Sequence, residues 1–354
     1  MAKGSKKKKA EKATAKSEAK ARKKAAAKAA ESERKAAKAE RKAAEKAERK
    51  AAKAERKAAK KAAAAHDAAA EGLLARRDAV VDLLRVGPGF RIADLDPAAT
   101  PGFDGSRADG ERALAGVGTE PSDLQERLFA HGRTGGRRSV LLVLQGLDTA
   151  GKGGIVRHVL GLVDPQGVAL RSFGVPTAEE RRHHYLWRVR RALPPAGSIG
   201  VFDRSHYEDV LVVRVDGTVA PEVWQKRYDE INRFEAQVTA SGTTIVKVAL
   251  WVSPEEQYER LSERLERPDK HWKYNPSDVD VRSRRAAYEA AYQDVLDRTS
   301  TDVAPWHVVP ADSKWYARLA VSALLHRALA DLQLDWPVAD YDVEAERLRL
   351  DATR

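Results

Sequence analysis

Gly146, Asp148, Gly151, Lys152 and Gly153 stand together in the run Gly146-Leu-Asp-Thr-Ala-Gly-Lys-Gly153. Glycines in such a loop let backbone N–H groups turn inward on an anion. A helix beginning at its end adds positive dipole, and Lys152 supplies a mobile ammonium for phosphate oxygens. The chemistry this serves is the handling of phosphoanhydrides. Position 153 is glycine, where a P-loop carries the Ser or Thr whose hydroxyl binds Mg²⁺. An acid inside the loop is expected to take over: Asp148 binds Mg²⁺ (or Mn²⁺), because hard divalent ions prefer carboxylate oxygens beside phosphates. The other reading of Asp148 is a side chain that fixes the loop by hydrogen-bonding its backbone.

A second acid follows in Gly200-Val-Phe-Asp203-Arg204-Ser-His-Tyr207-Glu208. At the end of a buried strand downstream of a P-loop, Asp203 is placed to hold magnesium and Arg204 to clamp phosphate. The alternatives are a structural Asp203–Arg204 pair or a helix cap. Arg181, His184, Arg188 and Arg191 fall three or four apart, the spacing of a cationic helix stripe that tracks phosphates through Arg188, or of a solvated face. His183 and His184 are adjacent and point apart, so no metal is assigned to them. Arg264, Lys270 and Lys273 lie in a basic stretch around Trp272, expected to close as a lid over about 264–290. The alternative is an exposed charged loop.

The elements that must position these residues alternate along the chain. Apolar runs predict strands at Val140–Leu144, Val168–Phe173, Ser198–Phe202, Thr243–Val252 and Trp306–Val309. Between them lie helix patterns: one after Lys152, one opened by the capping box Thr177-Ala-Glu-Glu180 and running to about Leu193, and Pro221–Ala240. Others are opened by Ser253-Pro-Glu-Glu256, end near Leu296, and span Trp315–Leu332. Residues 87–120 read as irregular, a short helix begins at Pro121 before the first of these strands, and 268–280 reads as a polar loop. This alternation predicts a doubly wound parallel α/β domain, with the ligand beyond the carboxyl ends of its strands.

Composition divides the 354 residues unevenly. Residues 1–65 hold 25 Lys/Arg against 8 Asp/Glu, while the rest hold 39 against 44, so the overall +12 belongs to the arm. Up to residue 72 there is no Val, Ile, Leu, Phe, Tyr or Trp, and such a segment cannot bury a core. Its Ala, Lys, Arg and Glu are helix formers. The expectation is a low-complexity arm, helical or disordered, that binds polyanions non-specifically or merely solubilises. No cysteine is present, which excludes disulfides and thiolate metal sites. No apolar run reaches membrane-spanning length and no secretory signal is visible, so a cytoplasmic protein without a membrane partner is expected.

Four ordered motifs resemble the polyphosphate kinase 2 family: the Gly146 loop; Pro176-Thr-Ala-Glu-Glu-Arg-Arg-His-His-Tyr-Leu-Trp-Arg188; Phe202-Asp-Arg-Ser-His-Tyr-Glu208; and Pro268-Asp-Lys-His-Trp-Lys273. The resemblance runs from about residue 75 to 332. It implies a P-loop kinase-like fold with a helical lid, and Mg²⁺-dependent transfer of a terminal phosphoryl group between inorganic polyphosphate and a nucleoside mono- or diphosphate. Asp148, Lys152, Asp203 and Arg204 match the family's catalytic positions, and some of Arg264, Lys270 and Lys273 its lid cations. Relatives are commonly dimers or tetramers. Arg285 stands where relatives that accept mono- or diphosphates usually carry tryptophan. The expected organisation is an arm (1–72), a phosphotransferase domain (73–335) and a tail (336–354). Two rival functions remain at this point: an ATP-dependent nucleotide or nucleoside kinase of thymidylate-kinase type, and a nucleoid-associated polyanion binder with a vestigial loop.

Overall fold

The computed structural model describes residues 77–116 and 119–354, and only scattered positions before them. The chain divides into two compact units, Met1–Ala65 and His66–Arg354. In the first, the described positions (23, 24, 28, 42, 46, 48–53 and 55–57) are helical and exposed, as their composition favours. The rest of the arm, and residues 73–76 after it, lie outside the described residues.

In the second unit β1 (Ser139–Gly146), β2 (Val168–Ser172), β3 (Ile199–Asp203), β4 (Thr243–Trp251) and β5 (Trp306–Pro310) form one sheet. Its order is β2-β3-β1-β4-β5 and every neighbouring pair is parallel. β1 is central and all eight of its residues are buried, which is why it reads as an unbroken apolar run. Its side chains still alternate. Val140, Leu142 and Leu144 face a core made with α1 (77–84), α2 (Arg107–Gly116), α3 (Thr119–Arg133), α4 (Lys152–Val159) and α11 (Lys314–Ala330). Leu141 and Val143 face the opposite core, made with α5 (Leu186–Arg191), α6 (Glu208–Val215), α7 (Pro221–Ala240) and α10 (Arg285–Thr299). Truncating a core side chain such as the fully buried Leu142 to Ala costs about 2–5 kcal/mol. The doubly wound α/β architecture expected from the sequence is the one found.

Three local expectations are corrected. Residues 87–120 are not wholly irregular, since α2 crosses them. Ser106 and Asp109 cap its start reciprocally, with Ser106 N donating to Asp109 Oδ2 at 2.8 Å. Gly110 inside α2 is required by close approach, because a Cβ there would meet the Trp315 ring at 2.4 Å. Packing against α11 therefore overrides a poor helix former. The helix expected over 177–193 is broken. The Thr177/Glu180 box forms, with backbone–side-chain bonds of 2.9 and 3.2 Å, but it opens only a 3-10 turn at Glu180–Arg182, and α5 begins at Leu186 after a break of three residues. The polar loop 268–280 contains a 3-10 turn, Pro268–Lys273, and the start of α9 (Ser277–Ser283). α8 (Pro254–Glu266), capped by Ser253, and the exposed α12 (Val343–Asp351) complete the order.

Candidate active site

β1 delivers the chain to the carboxyl edge of the sheet at Gly146. There φ is 151°, and a Cβ would lie 2.7 Å from Leu250 O on the adjacent strand, so glycine is needed both for the turn and for the close approach. The loop crosses the left-handed region at Thr149 (φ 66°) and again at Gly151 (φ 111°), where α4 starts. Lys152 folds back over it. Nζ donates to Gly146 O at 2.7 Å and to Leu147 O at 3.3 Å. Burial draws the Lys152 pKa below the usual lysine value; Asp148, Asp203 and Glu208 push it back up and Arg204 adds to the lowering. A half-buried ammonium held on weak carbonyl partners, beside three acids, is poised for a stronger anion.

β3 lies beside β1, with Leu144 in register with Asp203, and this places the second acid next to the loop. Asp203 is half-buried at the strand end. Arg204 sits in the left-handed region (φ 62°), which turns its guanidinium back across the loop. It donates to Asp148 Oδ1 at 2.7 Å and lies 3.6 Å from Glu208 Oε2. Burial works against its charge, but Glu208 and Asp148 outweigh that and raise its pKa. Burial is also the main cause that lifts Glu208 above the ordinary carboxylate range. With the Gln145 amide turned to satisfy its neighbours, its nitrogen donates to Glu208 Oε1 at 3.0 Å and its oxygen accepts from Ser205.

Two cavities flank the loop. One, of about 270 Å³, is bounded by Thr149–Gly151 and α4 on one side and by α8, α11 and the 268–273 turn on the other. Arg260, Arg264, Lys270, Lys273, Lys314 and Arg318 line it, against the single acid Glu263. The other, of about 300 Å³, opens beside Gly146–Asp148 and is bounded by α6, α9 and α10. Its charges are mostly acidic (Asp148, Glu208, Asp216, Asp278 and Asp280), with Arg204, Arg284 and the rings of Tyr288 and Tyr292. Asp278 reaches across to Arg264 Nη1 at 3.0 Å. Burial first, and Asp148 second, raise its pKa.

The sequence-predicted residues Asp148, Lys152, Asp203 and Arg204 are thus brought together, as are Gly146, Gly151 and Gly153 around the loop. Arg264, Lys270 and Lys273 line the cationic cavity. Arg264 donates to Lys273 O at 3.0 Å, Lys270 pairs with Glu263, and Lys273 lies over the Trp272 ring at 4.9 Å. Arg188 is placed elsewhere. It is buried, donates to Gly174 O at 2.9 Å, faces Glu180 and Asp209 at 3.7 and 3.5 Å, and lines neither cavity. Its spacing with Arg181 and Arg191 had implied a stripe, but the helix break at His183–Tyr185 removes that stripe. Sequence inspection missed Glu208, Arg260, Asp278, Lys314, Arg318, Tyr288 and Tyr292. Among the described residues no group of three or more His, Cys, Asp or Glu forms a metal cluster, and no helix is long and apolar enough to cross a membrane.

A parallel sheet carrying a glycine-and-lysine loop at its switch point, flanked by a cationic and an acidic cavity, defines a P-loop phosphotransferase. Comparison with known proteins narrows this. A family model described as Polyphosphate kinase 2 matches residues 105–335. The chain is 43% identical over 248 residues to the AMP/ADP-polyphosphate phosphotransferase of Meiothermus ruber, spanning 70% of this chain and 91% of that one. It is 39% identical over 267 residues to the ADP-polyphosphate phosphotransferase of Rhodopseudomonas palustris, spanning 72% and 91%. The crystal structure of Polyphosphate Kinase 2 from Arthrobacter aurescens TC1 superposes with a TM-score of 0.76 at 52% identity, covering 77% of this chain and 97% of that one. The chain belongs to the polyphosphate kinase 2 family. It is a polyphosphate:nucleotide phosphotransferase. The thymidylate-kinase and nucleoid-associated readings find no support in these relatives. The family is in general dependent on a divalent metal.

Proposed function

We propose that the cationic cavity holds the polyphosphate chain and the acidic one the nucleotide, with the terminal phosphoryl group passing between them over the loop. The observation that carries this is the opposite charge of the two cavities on either side of Gly146–Lys152. An oxygen of the nucleotide's terminal phosphate attacks the end phosphorus of the chain. The bridging P–O bond breaks, and the shortened chain keeps the electron pair. The attacking oxygen is already anionic, so no general base is required. Lys152 leaves its two carbonyl partners for the transferring group, and Arg204 neutralises charge that builds up in a loose transition state. The 264–290 segment closes over the reactants and excludes water.

Asp148 and Asp203 are the residues that would hold Mg²⁺ (or Mn²⁺). Both act electrostatically on Lys152, and a cation of this kind takes one or two protein carboxylates and completes its shell with phosphate and water oxygens. Such an ion supplies charge neutralisation between chain and nucleotide. AMP and ADP are the favoured acceptors, in line with the substrates named for the Meiothermus ruber relative. The assay is purified protein with Mg²⁺ and polyphosphate, offering AMP, ADP, GMP and GDP separately. Polyphosphate-dependent formation of the next higher phosphate from AMP or ADP is expected, and its absence from all four would refute the assignment.

A further inference from the structure

The tip of the phosphate loop is tethered twice from one helix. Two successive carbonyls, of Asp148 and Thr149, accept hydrogen bonds from side chains three residues apart on α8. Arg260 Nη1 donates to Thr149 O at 2.9 Å, while its Nη2 donates to Ala311 O at 2.6 Å and Asp312 O at 3.0 Å, just beyond β5. That tether runs to the fixed frame of the sheet. The second tether runs instead to the covering segment, which is docked on that frame by Arg285 Nη2 to Val252 O at 2.6 Å and by Arg282 Nη1 to Pro254 O at 2.5 Å. Gln257 is fully buried. Its Nε2 donates to Asp148 O at 3.2 Å, and its Oε1 accepts from Arg282 Nη1 at 3.3 Å and Arg285 Nη1 at 3.4 Å. Those arginines belong to α9 and to the first residue of α10. Guanidinium groups only donate and a peptide carbonyl only accepts, so the amide has a single satisfied orientation. It joins the covering segment to the loop through one side chain.

We propose that Gln257 is a positioning residue that transmits closure of the 264–290 segment to Asp148. The inference rests on the phosphotransfer reading above. With Arg282 and Arg285 docked, Gln257 Oε1 is held and Nε2 fixes the Asp148 peptide. That peptide carries the carboxylate that Arg204 holds at 2.7 Å. When the arginines leave, the buried amide loses its acceptor-side partners and the peptide it supports loosens. Thr149 stays bound through Arg260. Chemistry is thereby tied to a closed site, and an open enzyme holding polyphosphate lacks a correctly aimed Asp148.

Two substitutions cut the relay at different ends. Gln257→Glu keeps both arginine partners, now charge-assisted, and loses the donor to Asp148 O. Arg285→Met cuts the other end. In Gln257→Glu the expected result is a covering segment that trypsin cleaves within 267–273 at the wild-type rate. Its polyphosphate KM and melting temperature are unchanged, and kcat falls about 10- to 100-fold, the cost of a misplaced reacting group. A folded Gln257→Glu enzyme with wild-type kcat would overturn the proposal. A second readout needs no turnover. Hydrogen exchange at amides 147–151 quickens in Arg285→Met and quickens no further in Arg285→Met/Gln257→Leu. Additive increments would show that Gln257 does not carry the effect. If Gln257→Leu does not fold, Arg285→Met/Gln257→Glu closes the same cycle. Wild-type enzyme run alongside separates the two failures, because absent polyphosphate-dependent turnover there refutes the activity and leaves the exchange result to judge the relay.

Discussion

Replacing Lys152 by methionine keeps the volume of the side chain and removes its charge. In the resting site the ammonium makes two bonds to carbonyls, at 2.7 and 3.3 Å. Losing them costs about 0.5–1.5 kcal/mol each. Against that stands the burial that pulls the Lys152 pKa down, an unfavourable desolvation that the variant no longer bears. The two effects oppose each other, so folding stability is expected to change by no more than about 1–2 kcal/mol. Catalysis has no such compensation. In the loose transition state the transferring phosphoryl group is only weakly bonded to the leaving and the attacking oxygens, and Arg204, the other cation acting on this site, is already engaged by Asp148 and Glu208. Removing one preorganised donor at a site of developing charge costs about 10²–10³ in kcat, or about 2.7–4 kcal/mol. The assay couples ATP formation from ADP and polyphosphate to light emission, with thermal melting recorded on the same samples. A Lys152→Met enzyme that melts like the wild type yet keeps roughly a tenth or more of its kcat would refute the role given to this ammonium.

The remaining predictions concern the cationic cavity, acid stability and the arm. Arg318→Gln, on the α11 wall, is expected to raise the KM for polyphosphate about 10-fold or more, the worth of one charge-assisted bond, with kcat nearly unchanged; a titration in polyphosphate checks it. Burial holds the His307 pKa down at about 4 from an ordinary 6.5, so this ring stays neutral in the folded protein where the unfolded chain takes up a proton. Its contribution is complete above pH 6.5 and is lost as the pH falls toward about 4, by about 3 kcal/mol. Urea unfolding of the wild type and of His307→Phe at pH 7 and pH 4.5 should show the variant losing less stability. Removing residues 1–65 takes away the chain's excess of Lys and Arg and is expected to leave turnover intact while abolishing low-salt retention on long polyphosphate or DNA. Turnover lost with the arm would show that the second unit is not sufficient for catalysis.

The loop was legible because everything it needs is contiguous: an apolar strand, glycines where φ is positive, a lysine at the helix start. Asp203 and Arg204 were legible at one remove, since a strand of the same kind ends there and parallel pairing puts its end beside the loop. The walls of the cavities were not. Arg260, Lys314 and Arg318 come from helices after β4 and β5, and only the crossovers bring them to Thr149. Nothing in their local spacing separates them from other arginines and lysines of a highly charged chain. Arg188 shows the converse error. A helical period was assumed across His183–Tyr185, where the chain breaks, and the guanidinium that looked like a phosphate ligand instead bonds Gly174 O under Phe173. α2 was not legible because Gly110, a poor helix former, interrupts its local helix signal, and that same glycine is the residue that lets the helix lie against Trp315.

The division of charge around the loop bears on selectivity between two substrates that are both polyanions. If both cavities were cationic, polyphosphate would occupy each of them, and a nucleotide would compete poorly against the longer chain. Here Asp216, Asp278 and Asp280 join Asp148 and Glu208 on one side, and an anion entering there meets like charge unless a divalent cation comes with it. A nucleotide offers a metal-chelating phosphate tail together with an apolar base that Tyr288 and Tyr292 can contact. A bare phosphate chain offers only charge. The body outside the arm, with 39 basic against 44 acidic residues, extends the same discrimination to the surface. Positive charge is concentrated where α8, α11 and the 268–273 turn meet. On the proposed assignment, a long chain is guided to one side of Gly146–Lys152, with its end presented to the nucleotide on the other.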